Sequence, residues 1–484
     1  MPKEHPIDRE ARTFRAIQCS TASHPPVGML HAVFPLCVLS LLLLLGLLIW
    51  LLPHKTVSST EKRALAPTPT VSLSALLSGE LGRSVASFYS DHFPLRTALI
   101  RLKAGTERAL LKQENNGILF GHDGYLIDRI EYTEAEYTSL RKSLDAVLRF
   151  RDAAAAEGIP LTLAVAPRTV DVLRDQLPAL YSPIRTEKPR EILRAAVPDA
   201  IDLAIPLRAA EGDPVMYRTD HHWTTDGAYL AYTALADALG FTPLPDSYFT
   251  KEAVTSAFFG TTYAASGTAS TASDSIVLYR APDDSDYTVT VHDGETLMTG
   301  FYDLTAIGTG DDYRVFLGGN FGLVTVERTK KQDRTDRPTL LLIKDSFALS
   351  VVPFLARHYD ITVVDPRYFS GSTADLLAES DAVLILMGID TLSTSDVLTR
   401  ILYGIRPAHS ASASASMSES LTKSSVESFS PRMLAGCPHA SMIAVSRSFP
   451  SDEKPVMREF GSVLRRCSNA ALIVRKKIAS FFGL

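Results

Sequence analysis

The densest chemistry in this 484-residue sequence lies in Tyr217-Arg218-Thr219-Asp220-His221-His222-Trp223-Thr224-Thr225-Asp226-Gly227, which packs an acid, two imidazoles and an indole together. A carboxylate two residues before a histidine can hold that imidazole in one tautomer and stabilise its protonated form. A general base for nucleophilic catalysis requires both. The stretch lacks a nucleophile. One candidate lies downstream in Leu340-Leu341-Leu342-Ile343-Lys344-Asp345-Ser346-Phe347, where an apolar strand-like run stops at an Asp-Ser pair and a helix-like segment begins. At such a bend the N–H groups of Ser346 and Phe347 have no intrahelical partner and are expected to point toward a developing oxyanion.

Both motifs also have ordinary readings. Asp345 or Ser346 can simply cap the helix that follows. Asp220, His221 and His222 can be loop residues or metal ligands. Adjacent histidines point differently, no cysteine is near and no H-x-x-x-H spacing occurs, so the pattern predicts no metal and no cofactor. Asn320, in Gly318-Gly319-Asn320-Phe321-Gly322, either supplies a second oxyanion donor or belongs to a turn. Tyr217, Arg218, Arg168, Arg367 and Tyr368 either line a saccharide cleft or are solvated and packed loop-edge residues.

These residues need a scaffold. Glu134 to Glu157 and Asp226 to Leu239 have helical periodicity, as does Ala348 to His358, and a short helix is expected near Ala374 to Glu379. Leu161–Ala166, Leu340–Ile343, Ile361–Val364 and Ala382–Met387 read as buried strands. This alternation predicts an α/β fold with a parallel sheet between helices. Ligands bind beyond the carboxyl ends of such strands. Those ends carry Pro167-Arg168, Lys344-Asp345-Ser346, Asp365-Pro366-Arg367-Tyr368 and Gly388-Ile389-Asp390, so reactive side chains converge on one rim. Between Phe258 and Val326 short alternating runs with Gly, Thr and Asp turns predict a β-rich insertion. Residues 116–127 read as a hairpin, preceded by a helical pattern from Leu73 to Lys112.

Composition frames the rest. The net charge of −5 argues against a nucleic-acid binder. Val33 to Leu52 is almost wholly aliphatic and uncharged, and about 20 residues at roughly 1.5 Å each match a bilayer core of about 30 Å. An uncleaved transmembrane anchor is preferred to a signal peptide, because the run is long and Ala64-Leu65-Ala66 lies well beyond its end. Basic residues flank the run at similar density on both sides, so charge leaves the orientation open. All four cysteines lie at or before Cys37 or at and after Cys437, and a thiol-free body suits an exported domain. The expected organisation is a leader (1–26), an anchor (27–52), a tether and helical stalk (53–84), the main domain (85–405) and a tail (406–484). The tail is Ser-rich, then basic. It has nine basic and three acidic residues from Pro431 onward, and Arg465 to Phe482 can form a basic amphipathic helix or be a dispensable extension.

Tyr-Arg-Thr-Asp-His-His-Trp-Thr-Thr-Asp-Gly, Phe-Phe-Gly-Thr-Thr-Tyr, Phe-Leu-Gly-Gly-Asn and Ile-Lys-Asp-Ser-Phe occur in that order. Together they resemble the bacterial DHHW proteins, which are similar to the SGNH-hydrolase-like proteins of alginate O-acetylation. The resemblance covers roughly residues 85 to 405. It implies a three-layer α/β/α domain anchored outside the cytoplasmic membrane. It also implies an Asp-x-His pair and a distant serine as a triad: Asp220 to orient, His222 as base, Ser346 as nucleophile. The implied activity is a serine acyltransferase or esterase acting on O-acyl groups, acetyl above all, of a cell-envelope polysaccharide. A polytopic acyltransferase is the implied partner. The competing expectation is a non-catalytic glycan-binding or scaffold protein on the same fold.

Overall fold

The computed structural model describes residues 27–402, apart from 59, 180, 182–186, 270, 293–295, 330–336 and 395. The expected leader and tail lie outside the described residues. Its centre is an eight-stranded sheet built from β1 (Leu161–Ala166), β2 (Ile201–Asp202), β3 (Tyr287–Val291), β4 (Thr296–Thr299), β5 (Leu323–Arg328), β6 (Thr339–Lys344), β7 (Asp360–Val364) and β8 (Ala382–Gly388). The spatial order is β4-β3-β5-β7-β6-β8-β1-β2.

Five strands, β7-β6-β8-β1-β2, run parallel. The other three add to the β7 edge antiparallel. The sheet is therefore mixed rather than purely parallel. The expected β-rich insertion is not one separate piece, because β3, β4 and β5 extend the main sheet. Only Thr250–Phe258 and Asp274–Arg280 form a ribbon of their own.

Alternation along β6 shows how the layers form. Leu340 and Leu342 enter one core with Trp223, Tyr232 and Phe354, while Leu341 and Ile343 enter the other with Leu144, Phe150 and Val165. Side chains of successive strand residues point to opposite faces, so an unbroken apolar run is what a strand buried on both faces needs. Helix α1 (Glu134–Ala156) covers the second face. Its start is fixed by a capping box in which Thr133 and Glu136 satisfy each other's backbone N–H groups. Helix α2 (Thr225–Leu239) covers the first face and ends at Gly240 in the left-handed conformation.

Other elements differ from the sequence reading in detail. The helical pattern from Leu73 to Lys112 is broken into Leu73–Leu77, Glu80–Asp91 and Arg96–Ala109. The hairpin expected at 116–127 gains a third strand, giving Glu114–Asn115, Ile118–Phe120 and Leu126–Asp128. After Ser346 the chain forms a 3-10 turn, Ser346–Ser350, before the short helix Val352–Leu355.

An N-terminal helix spans Val27–Leu51 and exposes Phe34, Leu36, Leu39 and Leu43 among others. Among the described residues no helix is long and apolar enough to cross a membrane. The side chains of residues 27–32 and 50 lie outside that description.

Candidate active site

The acid and the base sit in a tight loop closed by an antiparallel bridge between Met216 and Trp223. Asp220 folds back on its own loop: Oδ1 accepts from the His222 backbone N–H at 3.0 Å, an Asx turn that explains why an acid stands two residues before the imidazole. The same oxygen lies 2.6 Å from His222 Nδ1. Oδ2 accepts from the Thr261 backbone N–H and hydroxyl at 2.7 and 3.0 Å. Thr224 then caps α2, accepting from the Gly227 N–H, so the loop enters the helix without slack. Gly260 has a separate reason to be glycine, because a Cβ there would stand 2.2 Å from both Cβ and Oδ2 of Asp220.

Ser346 comes from the carboxyl end of β6, and its Oγ lies 2.8 Å from His222 Nε2. Asp220, His222 and Ser346 thus form one continuous hydrogen-bonded line, with His222 and Ser346 standing 124 positions apart in sequence. Trp223 ties the two loops together, its indole N–H reaching the Phe347 carbonyl at 3.1 Å and the Ser350 hydroxyl at 3.0 Å. The His222 ring is stacked on Tyr313, with centroids 4.1 Å apart and planes 10° off parallel, and Phe347 meets its edge.

Electrostatics follow from burial. Burial alone would raise the Asp220 carboxyl, but His221, His222 and the donated hydrogen bonds hold it well below the usual carboxylate range. Burial lowers the His222 imidazole to about 4, assisted by the charge on His221 and opposed by Asp220. The imidazole is therefore neutral near pH 7, with Nε2 available to take a proton.

A cleft of about 420 Å³ opens over these groups, lined by Asp220, His222, Ser346, Asn320, Tyr368 and Lys62 among others. Of the further residues singled out in sequence, Asn320 and Tyr368 line this cleft. Asn320 is oriented by its partner: Lys344, a donor only, holds Oδ1 at 2.7 Å and leaves Nδ2 without a partner among the described residues. Consecutive positive φ angles at Gly318 and Gly319 make the turn that presents it.

The other expectations are corrected by tertiary contacts. The Phe347 N–H is taken by Asp345 Oδ1 at 3.0 Å, so it is not a free oxyanion donor and Asp345 is the cap. The other Asp345 oxygen accepts from the Gly388 N–H and the Thr391 hydroxyl. Arg168 is buried against Asp171, Tyr132 and Asp390. Arg367 is paired with the buried Asp365. Tyr217 is buried beneath the loop, and Arg218 reaches the Asp123 carbonyl and the Tyr125 ring. None of these four lines the cleft. Thr261, Tyr313 and Lys344 went unassigned in sequence. Thr261 and Lys344 had a signal, standing within the Phe-Phe-Gly-Thr-Thr-Tyr and Ile-Lys-Asp-Ser-Phe motifs, and Tyr313 had none. Lys62 is a tether residue whose ammonium lies over the Phe258 ring, and no local pattern marks it.

Ligand atoms of Asp220, His221 and His222 lie within 4.8 Å of one another. In this arrangement both His222 nitrogens face other partners, Asp220 and Ser346, and His221 Nδ1 is 2.8 Å from the Thr261 hydroxyl.

Comparison with known proteins agrees with the motifs. The family model for the SGNH hydrolase-like domain of acetyltransferase AlgX matches residues 118–289, a segment that holds Asp220 and His222 and ends before Ser346. A "Probable alginate O-acetylase AlgJ" of Pseudomonas fluorescens is 28% identical over 172 residues, which are 34% of this chain and 44% of the relative. Its counterpart in Pseudomonas putida is 27% identical over 197 residues, 38% of this chain and 51% of the relative. The chain thus spans about half the length of the curated relatives it matches. Among solved structures, a DHHW family protein from Eubacterium siraeum has a TM-score of 0.49 at 21% identity, covering 59% of this chain and 96% of that one. The O-acetyltransferase domain of Pseudomonas putida AlgJ has a TM-score of 0.37 at 15% identity, covering 60% and 99%. By its motifs and by the matched segment, this chain is similar to the SGNH-hydrolase-like proteins of alginate O-acetylation.

Proposed function

We propose that this protein is a membrane-anchored, extracytoplasmic serine acyltransferase or esterase acting on O-acetyl groups of a cell-envelope polysaccharide. The observation that carries the reading is the unbroken line from Asp220 through His222 to Ser346. Ser346 Oγ attacks the carbonyl of a donor ester while its proton passes to His222 Nε2. The buried Asp220 carboxylate stabilises the imidazolium through Nδ1–H. The Ser346 N–H and Asn320 Nδ2 receive the oxyanion. Collapse expels the donor alcohol, protonated by His222, and leaves an acyl-serine. A sugar hydroxyl then attacks the acyl-serine in a transferase, or water in an esterase, each deprotonated by the same imidazole.

The names of the curated relatives support acetyl as the acyl group and a polysaccharide as the acceptor. The sequence run from Val33 to Leu52 supports anchoring: about 20 residues at roughly 1.5 Å each match the roughly 30 Å of a bilayer core, and the run carries no charge. In this reading the span lies in the cytoplasmic membrane, residues 1–26 stay inside, and a polytopic acyltransferase delivers acyl groups to the outer face.

A fluorophosphonate probe followed by mass mapping tests the assignment. Labelling is expected at Ser346, is lost in Ser346→Ala, and ester turnover falls by about 10³-fold or more in that variant. A folded Ser346→Ala protein with full turnover would refute the triad. Absence of any label or turnover in the wild type would favour a non-catalytic glycan-binding module. A chelator is expected to leave turnover unchanged, whereas its abolition would turn the Asp220, His221 and His222 cluster into a metal site.

A further inference from the structure

The helix Arg96–Ala109 carries apolar residues on its outside. Leu95, Leu99, Leu102 and Leu110 fall on one face and are 77, 48, 66 and 77% exposed, while Ala104 is buried. Leu73, Leu76 and Leu77 of the nearby short helix are also exposed. Surface leucines scattered singly need no explanation, but a continuous stripe at helical spacing marks a face that something covers.

Two features identify the cover. Residues 96–112 hold five basic side chains, Arg96, Arg101, Lys103, Arg108 and Lys112, against the single acid Glu107. The last four of those bases are exposed beside the stripe. An apolar stripe edged by lysine and arginine is complementary to an anionic lipid surface, where the stripe enters the acyl boundary and the cations meet headgroups. The stripe also adjoins the end of the apolar N-terminal helix. A groove of about 900 Å³ is walled by Ile49, Leu52 and Pro53 on one side and by Leu95, Arg101 and Leu102 on the other. That shared groove places Leu95, Arg101 and Leu102 beside the point where the charge-free helix stops, which is where a leaflet surface would lie.

We infer that Arg96–Ala109 docks flat on the anionic phospholipid leaflet, with Leu95, Leu99, Leu102 and Leu110 inserted and Arg101 and Lys103 in the headgroup region. This rests on the anchored reading given above. The docked helix is a second hold on the membrane beside the anchor, and it keeps the domain from swinging freely on its tether.

The test uses the full chain with Cys19, Cys37, Cys437 and Cys467 replaced by serine, and one new cysteine at Leu102→Cys or Leu41→Cys. Each is labelled with an environment-sensitive fluorophore and reconstituted into phosphatidylglycerol–phosphatidylcholine vesicles bearing shallow or deep lipid-borne spin quenchers. The Leu41 probe reports the anchor, with loss of emission to the deep quencher. The Leu102 probe is expected to lose emission to the shallow quencher. A double change, Arg101→Glu with Lys103→Glu, should reverse that loss in phosphatidylglycerol-containing vesicles. Deep quenching at position 41 with no lipid quenching at 102 overturns the docking and leaves the anchor standing. An unquenched position 41 removes the anchor itself. A position 102 that is shielded from water yet unquenched by lipid means a protein covers the stripe, a second copy or a partner, and overturns the lipid assignment.

Discussion

Thr261 donates both its backbone N–H and its hydroxyl to Asp220 Oδ2, the oxygen that His222 leaves open. The hydroxyl has one proton and gives it to Asp220, so it accepts from His221 Nδ1–H in turn. Every lone pair that could let the carboxylate rotate is thereby engaged. Thr261→Val keeps the shape and the backbone donor and removes only the hydroxyl. One charge-assisted hydrogen bond is worth roughly 1.5–3 kcal/mol, so kcat should fall by about 10- to 100-fold with KM nearly unchanged. Steady-state kinetics on an acetyl ester checks it, and a variant with wild-type kcat would show that the N–H alone suffices.

Gly260 supplies the backbone side of the same clamp. Its amide donates to the Thr219 hydroxyl at 3.1 Å, and any added Cβ collides with Asp220 rather than with the flexible end of a side chain. Gly260→Ala must therefore push Asp220 off its line to His222. The expected loss of kcat exceeds that of Thr261→Val and approaches that of Asp220→Asn, the variant that strips the carboxylate of its charge. Circular dichroism should remain that of the wild type. Full activity in Gly260→Ala would mean that the acid need not stay in place.

The pH profile follows from burial. With the imidazole lowered to about 4, the free base predominates above that pH, so kcat/KM should be flat near neutrality and drop only as pH falls through about 4. The charge of His221 is one cause of the lowering, so His221→Asn should move the acid limb upward. The linkage has the same sign: between about 4 and the unfolded imidazole value near 6.5, the unfolded chain binds the extra proton. The stability that His222 contributes is thus whole above that window and is lost as pH falls through it. An acid limb at the ordinary histidine value would contradict the burial argument.

The two halves of the site were legible in sequence because each is a local device. Asp220 and His222 share one Asx turn, and Asp345-Ser346 marks the end of an apolar run that reads as a buried strand. Roles that depend on a distant partner were not. The polar strand ends suggested a shared rim, yet Asp171 and Asp365 capture Arg168 and Arg367, since a guanidinium is stabilised wherever a buried carboxylate meets it. The Phe347 N–H was expected to be free, but the carboxylate two residues before it satisfies it. The alternating runs between Phe258 and Val326 correctly read as strands. Their antiparallel attachment to β7 depends on pairing that periodicity cannot specify. Lys62 reaches the cleft only because the tether folds back.

Asn320 and Lys344 give the sharpest separation of positioning from chemistry. Lys344 is almost fully buried; burial lowers its ammonium while Asp365, 3.0 Å away, opposes the loss of charge. Asn320→Asp preserves a partner for that ammonium and removes both N–H donors from the cleft. Losing one oxyanion donor costs about 10²–10³ in kcat, and the expected variant has this loss with an unchanged or higher Tm. Lys344→Met leaves Asp365 to Arg367 and frees the amide to rotate, so it should lower kcat less than Asn320→Asp. If Lys344 acts only by aiming that amide, adding Lys344→Met to Asn320→Asp produces no further loss of kcat. Multiplying losses in the double variant would show that the two residues act independently.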